Sequence, residues 1–191
     1  RDATLQHNET LRTVLKKHRG YEVVFIRDRN SGEGSFCMAF QNTIDALSWC
    51  MEVQQELLRV EWPEALLDHP GAAEEWGDTD DRVLYKGLRV RMGVHVGTPK
   101  VVRDPMTRRV EYIGPVVNAA ARITAMTHGG QIVMSHAAHD KVVGAAAAAT
   151  AAGDDAPTSP AASAATFASR VVSLGKFEMP DVPHGARLYE L

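Results

Sequence analysis

The sequence predicts an α+β domain in which a mainly antiparallel sheet is flanked by helices. Segments with helical spacing of apolar residues alternate along the chain with short segments rich in β-branched and aromatic residues. Some neighbouring strand segments are joined by turn sequences, as in antiparallel hairpins. Hydrophobic residues form 45% of the 191 residues and charged residues 24%, which is typical of a soluble globular domain with one sizeable core.

The first part of the chain predicts two helices on either side of a hairpin. Leucine and valine at helical spacing predict a helix over 3–18, which a glycine ends in the usual C-cap position. The segments 21–26 and 35–40 have the composition of strands, and the turn-rich residues 27–34 between them predict a long hairpin tip. The clearest helical periodicity predicts the second helix, over 42–60.

The middle of the chain begins with a long acidic connection over 61–87, which we interpret as a functional loop or an inserted element. Residues 88–97 alternate between apolar and polar types, which predicts a half-buried strand that we place centrally in the sheet. Residues 100–114 predict a hairpin that turns at an Asp-Pro pair. A helix over 115–127 follows, and a Gly-Pro pair marks its start.

The last part of the chain predicts a short strand, a helix over 136–143, and closing strands at 168–174 and 186–191. Residues 145–166 are of low complexity, being rich in Ala with Gly, Pro, Ser and Asp. This composition predicts a flexible insertion outside the core. We therefore expect the whole chain, 1–191, to be a single domain that carries one such insertion.

Composition and charge exclude several classes of protein. The net charge of −3, with one basic cluster at 16–19, argues against a nucleic-acid binder. Cys37 and Cys50 are too few for a disulfide framework and favour a reducing, intracellular and cytosolic location. No apolar run approaches the roughly 20 residues that span a bilayer, and no secretory signal is present. Because the first residue is Arg, we expect a piece of a longer protein, with any membrane segment outside these residues.

Residues 111–123, EYIGPVVNAAARI, hold the most informative pair of polar side chains. Asn118 and Arg122 are four apart in the predicted helix, so they share one face. The Gly-Pro start places free N–H groups and a partial positive charge beside them. A guanidinium suits phosphate oxygens and an amide can bond a ribose oxygen, which together predict a phosphate and sugar clamp. Spacing alone favours the alternative, in which Arg122 pairs with a local carboxylate and Asn118 caps a turn.

Other signatures of chemistry are weak or missing from the sequence. It contains no GxxxxGK[ST], GxSxG, HExxH or CxxC motif. His136 and His139 lie one helical turn apart and could form a metal pair. With no third ligand evident nearby, we interpret them as surface histidines.

Several blocks of the sequence together resemble the catalytic domain of class III nucleotidyl cyclases, and most of all the adenylyl cyclases of fungi and trypanosomatids. In order, the blocks are GYEV, GSFCMAF, SWCMEVQQELLRVEWP, YKGLRVRMGVHVG, DPMTRRVEYIGPVVNAAARI and GGQIVMS, and the likeness covers nearly all of the chain except 145–166. The resemblance implies a ferredoxin-like βαββαβ core whose first strand precedes this chain. It also implies head-to-tail pairing with a second cyclase domain, as a homo- or heterodimer, with active sites between the two domains.

The resemblance further implies a reaction in which the 3′-hydroxyl of ATP attacks the α-phosphate, releasing pyrophosphate and forming cyclic AMP. If the domain is active, two Mg²⁺ or Mn²⁺ ions held by two aspartates activate the hydroxyl and neutralise the phosphates. Asn118 falls on the position that orients the ribose, and Arg122 on the position that stabilises the charged transition state. Glu111 falls on the position of the acidic residue that reads adenine.

The chain departs from the family pattern at the metal site. One metal aspartate belongs to the strand ahead of this chain, and the other to a K-T-x-G-D-S-F hairpin tip, where this chain reads NSGEGSF at 30–36. Gly34, or Ser35 in an alignment shifted by one, replaces that aspartate, and Asn30 replaces the lysine that reads adenine. We therefore assign no metal ligand, although a distorted tip would bring in Glu33 or Asp28 as a substitute.

The terminal phosphates also lack their expected partner, because Pro180 and Asp181 stand where the family has a basic residue. We therefore favour a domain of cyclic-nucleotide signalling that is degenerate at its metal site and acts as a regulatory or dimerisation domain, a pseudoenzyme. Two alternatives remain open. One is an active domain that converts ATP to cyclic AMP, working only with a partner that supplies the metals. The other is a structural element of a larger assembly.

Overall fold

The computed structural model describes residues 2–30, 34–153, 159–179 and 182–191, with the backbone alone at 183 and 184. In these residues the helices are α1 (Asp2–Lys17), α2 (Thr43–Arg59), α3 (Glu64–Leu67), α4 (Pro115–Ala125), α5 (His136–Ala152) and α6 (Pro160–Arg170). The strands are β1 (Tyr21–Arg27), β2 (Gly34–Ala39), β3 (Glu75–Trp76), β4 (Val83–Tyr85), β5 (Met92–Val94), β6 (Lys100–Arg103), β7 (Val110–Ile113), β8 (Ile132–Ser135), β9 (Val172–Met179) and β10 (Val182–Glu190).

Most of these strands pair antiparallel. One sheet has the strand order β5-β8-β10-β9, in which β5 and β8 are parallel and the other neighbours antiparallel. The pairs β1–β2, β3–β4 and β6–β7 are separate antiparallel hairpins. The predicted class, an α+β fold with a mainly antiparallel sheet flanked by helices, is confirmed.

One face of the four-stranded sheet is covered by α2 and α5, against which α1 and α6 pack, and the buried side chains of this layer form the main core. The sheet contributes Met92 and Val94 from β5 and Ile132 and Met134 from β8. The helices contribute Leu11, Val14, Leu15, Ile44, Leu47, Trp49, Cys50, Val53, Leu57, Ala138, Val142, Ala164 and Phe167. Because a fully buried side chain of the larger apolar types contributes roughly 1.5–3 kcal/mol, this layer is the chief source of stability.

Two buried tryptophans tie the elements of the main core together. The indole Nε1 of Trp49 donates to the carbonyl of Leu11 at 3.2 Å, which joins α2 to α1. The indole Nε1 of Trp62 donates to the carbonyl of Leu57 at 2.9 Å. Trp62 belongs to the connection over 61–87, which also contains α3 and the β3–β4 hairpin. That connection is therefore a structured inserted element anchored on the core.

The opposite face of the sheet is covered by α4. Ile123 of α4 packs there against Val133 of β8, Leu188 of β10 and Met179 of β9. Successive residues of a strand point to opposite faces, so Val133 turns away from its two neighbours in the main core. The sheet thus separates a thick helical layer from a thin one, and the thin one carries the motif at 111–123.

The strand predicted over 88–97 is shorter in the structure and is not central. Only Met92–Val94 form β5, and among the described strands β5 lies at the edge of its sheet. The carbonyl of Val90 accepts from the backbone N–H of Gly130 at 3.0 Å and from Nε2 of Gln54 at 2.8 Å. Loop and side-chain donors therefore satisfy this carbonyl in place of a strand ladder, and burial alternates only around β5.

The segment predicted as a flexible insertion, 145–166, instead contributes to two packed helices. Helix α5 continues to Ala152, and α6 begins after Ser159, whose hydroxyl accepts from the backbone N–H of Ala162 at 3.1 Å. Ala164 is fully buried in the main core. The expectation that the segment lies outside the core was wrong, because alanine has the highest helix propensity and its small side chain allows close packing. Residues 154–158 lie outside the described part of the chain.

Both cysteines, Cys37 and Cys50, are free thiols. Burial raises the pKa of Cys50 to about 12. A buried thiol with so high a pKa is chemically inert at neutral pH. In the part of the chain that the structure describes, no helix combines the length and the apolar character that crossing a membrane requires.

Candidate functional site

Helix α4 begins directly after Gly114, whose φ of 112° lies in the region that favours glycine. Pro115 takes the first helical position, where its fixed φ suits the helix and its missing N–H costs nothing. The backbone N–H groups of Val117 and Asn118 each donate to the carbonyl of Gly114 at 3.1 Å. No capping side chain covers this end. The first turn of α4 can therefore face an anionic ligand directly.

Helix α4 lies so close to β5 and the following segment that two glycines are required beneath it. A Cβ atom on Gly93 would lie 2.6 Å from the backbone nitrogen of Thr124, and one on Gly97 would lie 2.1 Å from Cγ2 of Val116. The side chain of Ile123 is only 2% exposed, because it packs against the sheet. The position of α4 is therefore set near both of its ends by close contacts with the sheet layer.

Asn118 and Arg122 lie on α4 between those contacts, one helical turn apart, as predicted. Asn118 is exposed and Arg122 is half-buried. Because the next residue, Ile123, points into the sheet, Arg122 lies at the boundary between the helix layer and solvent. A guanidinium at such a boundary interacts more strongly with an anion than one in bulk water. The role of the pair as a phosphate and sugar clamp remains a prediction.

Glu111 is exposed on β7, a few residues before α4. The β6–β7 hairpin that carries it is held against β1. The hydroxyl of Tyr21 donates to the carbonyl of Val110 at 2.8 Å and accepts from its N–H at 3.2 Å. The guanidinium of Arg109 donates to the carbonyl of Glu22 at 2.8 Å. The hairpin that carries Glu111 is therefore fixed against β1. That the carboxylate of Glu111 recognises a nucleotide base remains a prediction.

The tip of the β1–β2 hairpin holds the positions at which the resemblance implies a metal ligand and a base contact. Arg27 and Gly34 form the last pair of the ladder. Asn30 is exposed, and its backbone N–H donates to Oδ1 of Asp28 at 2.7 Å. Such a bond is typical of an Asx turn. Asn30 therefore sits in a solvent-facing turn, and Glu33, the possible substitute ligand, lies outside the described residues.

The two positions that match the missing aspartate do not fit a pair of divalent cations. A Cβ atom on Gly34 would lie 2.6 Å from the ring of Phe25, which itself packs against Phe36 with ring centroids 4.5 Å apart. Ser35 is exposed and offers a hydroxyl. Asp28 already uses Oδ1 in the turn. Because Mg²⁺ is held through carboxylates, neither Gly34 nor Ser35 supplies the ligand that such a site needs.

Sequence reasoning missed three residues that the structure makes important. Gly93 and Gly97 allow the approach of α4, and glycines within a β-branched strand pattern were the available signal. Asp140 lies beside His136 and His139, where no third ligand was expected. Pro180 and Asp181, at the position expected for a phosphate contact, lie outside the described residues.

Two concavities on the described surface lie away from these residues. One, of about 120 Å³, lies between α2 and β4, and the other, of about 310 Å³, lies between α1 and the end of α2. Neither is lined by Asn118, Arg122 or Glu111. Asn118 and Glu111 are instead exposed side chains, and Arg122 is half-buried.

Comparison with known proteins identifies relatives of this architecture. Residues 2–154 match the family model described as the adenylate and guanylate cyclase catalytic domain. This range includes both the β1–β2 hairpin and α4. A solved structure of adenylate cyclases from Trypanosoma brucei in their monomeric state superposes with a TM-score of 0.73 at 26% identity, covering 99% of this chain and 78% of that chain.

Two curated relatives are more similar to this chain in sequence, but the matched residues cover only a small share of each relative. The "Putative serine/threonine-protein kinase/receptor R818" of Acanthamoeba polyphaga mimivirus is 51% identical over 142 residues, which cover 74% of this chain and 8% of the relative. The adenylate cyclase of Mycosarcoma maydis is 43% identical over 129 residues, which cover 68% of this chain and 5% of the relative. The chain therefore spans less than a tenth of either relative.

Proposed function

The chain belongs to the family of adenylate and guanylate cyclase catalytic domains, and we propose that it is a class III cyclase domain of cyclic-nucleotide signalling that does not turn over by itself. It acts by pairing with a second cyclase domain, as a regulatory or dimerisation domain. The observation that carries this proposal is that neither Gly34 nor Ser35, the two positions that the resemblance matches to a metal aspartate, offers a carboxylate. A metal-binding carboxylate is missing there, while α4 keeps both of its polar side chains.

Under this proposal the α4 face contributes the sugar and phosphate contacts of a nucleotide site. The amide of Asn118 orients the ribose, and the guanidinium of Arg122 binds oxygens of the α-phosphate. Arg122 would also stabilise the charge that develops when the 3′-hydroxyl attacks that phosphate and pyrophosphate leaves. The carboxylate of Glu111 accepts a hydrogen bond from an amino group of the base. The exposure of Asn118 and Glu111 and the firm seating of α4 support these roles.

In an active cyclase domain, two divalent cations supply the Lewis-acid chemistry that activates the hydroxyl and neutralises the phosphates. The described residues of the β1–β2 tip do not fit such ions, so we derive no step through them. Without such ions, the isolated domain lacks the positive charge that two divalent cations would add beside a triphosphate. We therefore expect neither turnover nor tight binding of Mg-ATP by the isolated chain.

A second candidate function is an active pair in which a partner domain supplies the metal carboxylates and this chain supplies Asn118 and Arg122. The retention of both residues on a helix seated over Gly93 and Gly97 favours this candidate. A domain that served only as a dimerisation surface would have no need of that side-chain pair.

The first experiment measures cyclic nucleotide formation by the isolated chain with ATP or GTP, in Mg²⁺ or in Mn²⁺. We expect none above background. In analytical ultracentrifugation we expect a homodimer from the chain alone, or a heterodimer when a second cyclase domain is added. Robust product formation that disappears in Glu33→Ala would overturn the proposal, since the tip would then have recruited Glu33 as a ligand.

The second experiment separates the two candidates by complementation. The Trypanosoma brucei cyclase domain, altered to lose its own asparagine and arginine but keeping its metal carboxylates, is mixed with this chain. Activity that appears with the native chain and falls by about 10²–10³ with Arg122→Ala supports the active pair. The matched control is Arg59→Ala, which removes an exposed arginine at the end of α2. Pairing without activity supports the regulatory role.

A further inference from the structure

The first two turns of α5 place three metal-ligating side chains together, on the helix that follows β8. His136, His139 and Asp140 have the spacing i, i+3 and i+4, which puts them on one helix face. Their ligand atoms all lie within 4.8 Å of one another. Nε2 of His136 lies 3.5 Å from Oδ2 of Asp140. The third ligand that the sequence did not reveal is therefore supplied by the next turn of the same helix.

Tyr189 on β10 orients both imidazole rings. Its hydroxyl lies 3.0 Å from Nδ1 of His136, and its ring stacks on that of His139 with centroids 3.9 Å apart and planes at 5°. When Nδ1 of His136 donates its proton to the tyrosine oxygen, the lone pair of Nε2 is left available beside Asp140. Metal-binding histidines commonly have their second nitrogen held in this way.

A second, independent observation concerns the other imidazole. Nδ1 of His139 is buried and has no hydrogen-bond partner among the described residues. Buried polar atoms without a partner are rare in native proteins, so this one needs an explanation. A cation bound between His136, His139 and Asp140 would be coordinated through one nitrogen of this ring.

We propose that His136, His139 and Asp140 form a binding site for a transition-metal ion, with Zn²⁺ as the best match. Two imidazoles and one carboxylate are a ligand set that Zn²⁺ accepts, with the fourth position left for water or an external ligand. Mg²⁺ and Ca²⁺ instead prefer sets made of oxygen alone. The side chains of His136 and Asp140 are 57% and 62% exposed, so an ion can reach them from solvent.

This site is distinct from the one proposed at α4. Tyr189 packs against the main core, whereas its neighbour Leu188 packs against Ile123 on the α4 face. The two sites therefore lie on opposite faces of the same sheet. An ion at α5 would not take part in phosphate chemistry at Arg122; it would bind the first turns of α5 together, above β10.

The site lies at the start of helix α5, so the charges of its ligands matter for cation binding. The partial positive charge of a helix N-terminus disfavours a cation nearby. The carboxylate of Asp140 offsets that charge, and the two imidazoles coordinate in their neutral form.

The test is calorimetric titration of the metal-free chain with Zn²⁺, and absorption spectroscopy with Co²⁺ as a coloured substitute. We expect one ion per chain in the micromolar range, and a melting temperature that rises with Zn²⁺ concentration. Asp140→Asn and His139→Asn should each weaken binding by at least about tenfold. Tyr189→Phe keeps the stacked ring and should weaken binding only through loss of the bond to His136.

The matched control is His128→Asn, because His128 is exposed and lies outside the cluster. It should bind Zn²⁺ like the native chain. Circular dichroism of each variant without metal shows whether the variant folds. We expect Asp140→Asn to fold, because Asp140 is exposed and asparagine has nearly the same shape as aspartate. Equal Zn²⁺ affinity in the native chain, Asp140→Asn and His139→Asn, or no binding by the native chain, would overturn the proposal.

Discussion

Helix α4 and the β1–β2 hairpin carry the two halves of the candidate nucleotide site, and they are supported in different ways. Helix α4 is seated by buried Ile123 and by contacts so close that Gly93 must lack a side chain. The hairpin has Val23 as its one buried residue in the described part, and exposed or half-buried positions elsewhere. Buried packing and a close main-chain contact thus hold the helix, whereas the hairpin is attached to the rest of the domain mainly by partly exposed side chains.

The hairpin is attached to α1 by an ion pair and by aromatic contacts. The guanidinium of Arg12 binds the carboxylate of Glu22 with Nε–Oε2 and Nη2–Oε1 distances of 2.8 and 2.9 Å, and it lies over the rings of Phe25 and Phe36. A hairpin held in this way can change its tip without disturbing the core, which α4 cannot do. The departures from the family pattern that the sequence predicts therefore fall in the half that tolerates change.

The largest expected contrast is between two isoleucines. Ile123→Ala should lower the free energy of unfolding by about 2–5 kcal/mol, because it leaves a cavity between α4 and the sheet. Ile26→Ala on the hairpin should change it by no more than about 0.5 kcal/mol, since Ile26 is 59% exposed. Urea denaturation followed by far-ultraviolet circular dichroism measures both. Similar losses in the two variants would mean that the hairpin is as firmly supported as the helix.

The next contrast uses two glycines. Gly93→Ala places a methyl group against the backbone of Thr124 and should cost about 1–3 kcal/mol through displacement of α4. Gly34→Ala meets only the far end of the Phe25 ring, which can rotate away, and should cost less than about 1 kcal/mol. Denaturation curves give both values. If Gly34→Ala proves the more costly variant, the tip is more rigid than its exposure indicates.

A third prediction asks whether the hairpin can regain a metal ligand. Ser35→Asp adds a carboxylate at an exposed position and should tighten binding of Mn-ATP by no more than about tenfold, equivalent to 1.4 kcal/mol. Gly34→Asp should give less, because its side chain collides with Phe25. Calorimetry with Ser35→Asn as the uncharged control tests this. Tighter binding by Gly34→Asp than by Ser35→Asp contradicts the described geometry.

The smallest effect concerns the ion pair that attaches the hairpin. The hydrogen bonds from Arg12 lower the pKa of Glu22 below its usual 4.5. The pair therefore contributes stability above pH 4.5 that is lost as the pH falls through the lowered pKa. Glu22→Gln should cost less than about 1 kcal/mol at pH 7, since Arg12 is 45% exposed. The melting temperatures of the native protein and Glu22→Gln should converge in acid. A difference in melting temperature that stays constant with pH would mean that Glu22→Gln destabilises the protein through packing.

The elements that local chemistry determines were predictable from the sequence. Helix α2, predicted over 42–60, runs from Thr43 to Arg59 because the side chain of Asn42 caps its first turn. The hairpin over 100–114 turns at Asp104, whose carboxylate accepts two backbone N–H groups of the turn. The shared face of Asn118 and Arg122 follows from helical spacing alone.

The features that depend on distant contacts were not predictable in this way. The alanine-rich segment was interpreted as flexible because it lacks large apolar residues, yet Ala164 is buried by neighbours that the sequence does not identify. The strand over 88–97 was shortened because Gln54, from another element, binds the carbonyl of Val90. The contact between Gly93 and Thr124 needs the position of α4 on the sheet, which spacing does not supply.

The buried tryptophans have a spectroscopic consequence. Trp49 and Trp62 are 5–7% exposed on the main-core side of the sheet, whereas Trp76 is 56% exposed. The cluster that Ile123 forms on the α4 face contains no tryptophan among the described residues. Intrinsic fluorescence will therefore change when the main-core layer opens, and it will change very little when the α4 layer opens. Partial detachment of α4 would be optically silent, and hydrogen exchange of its amides would be the way to detect it.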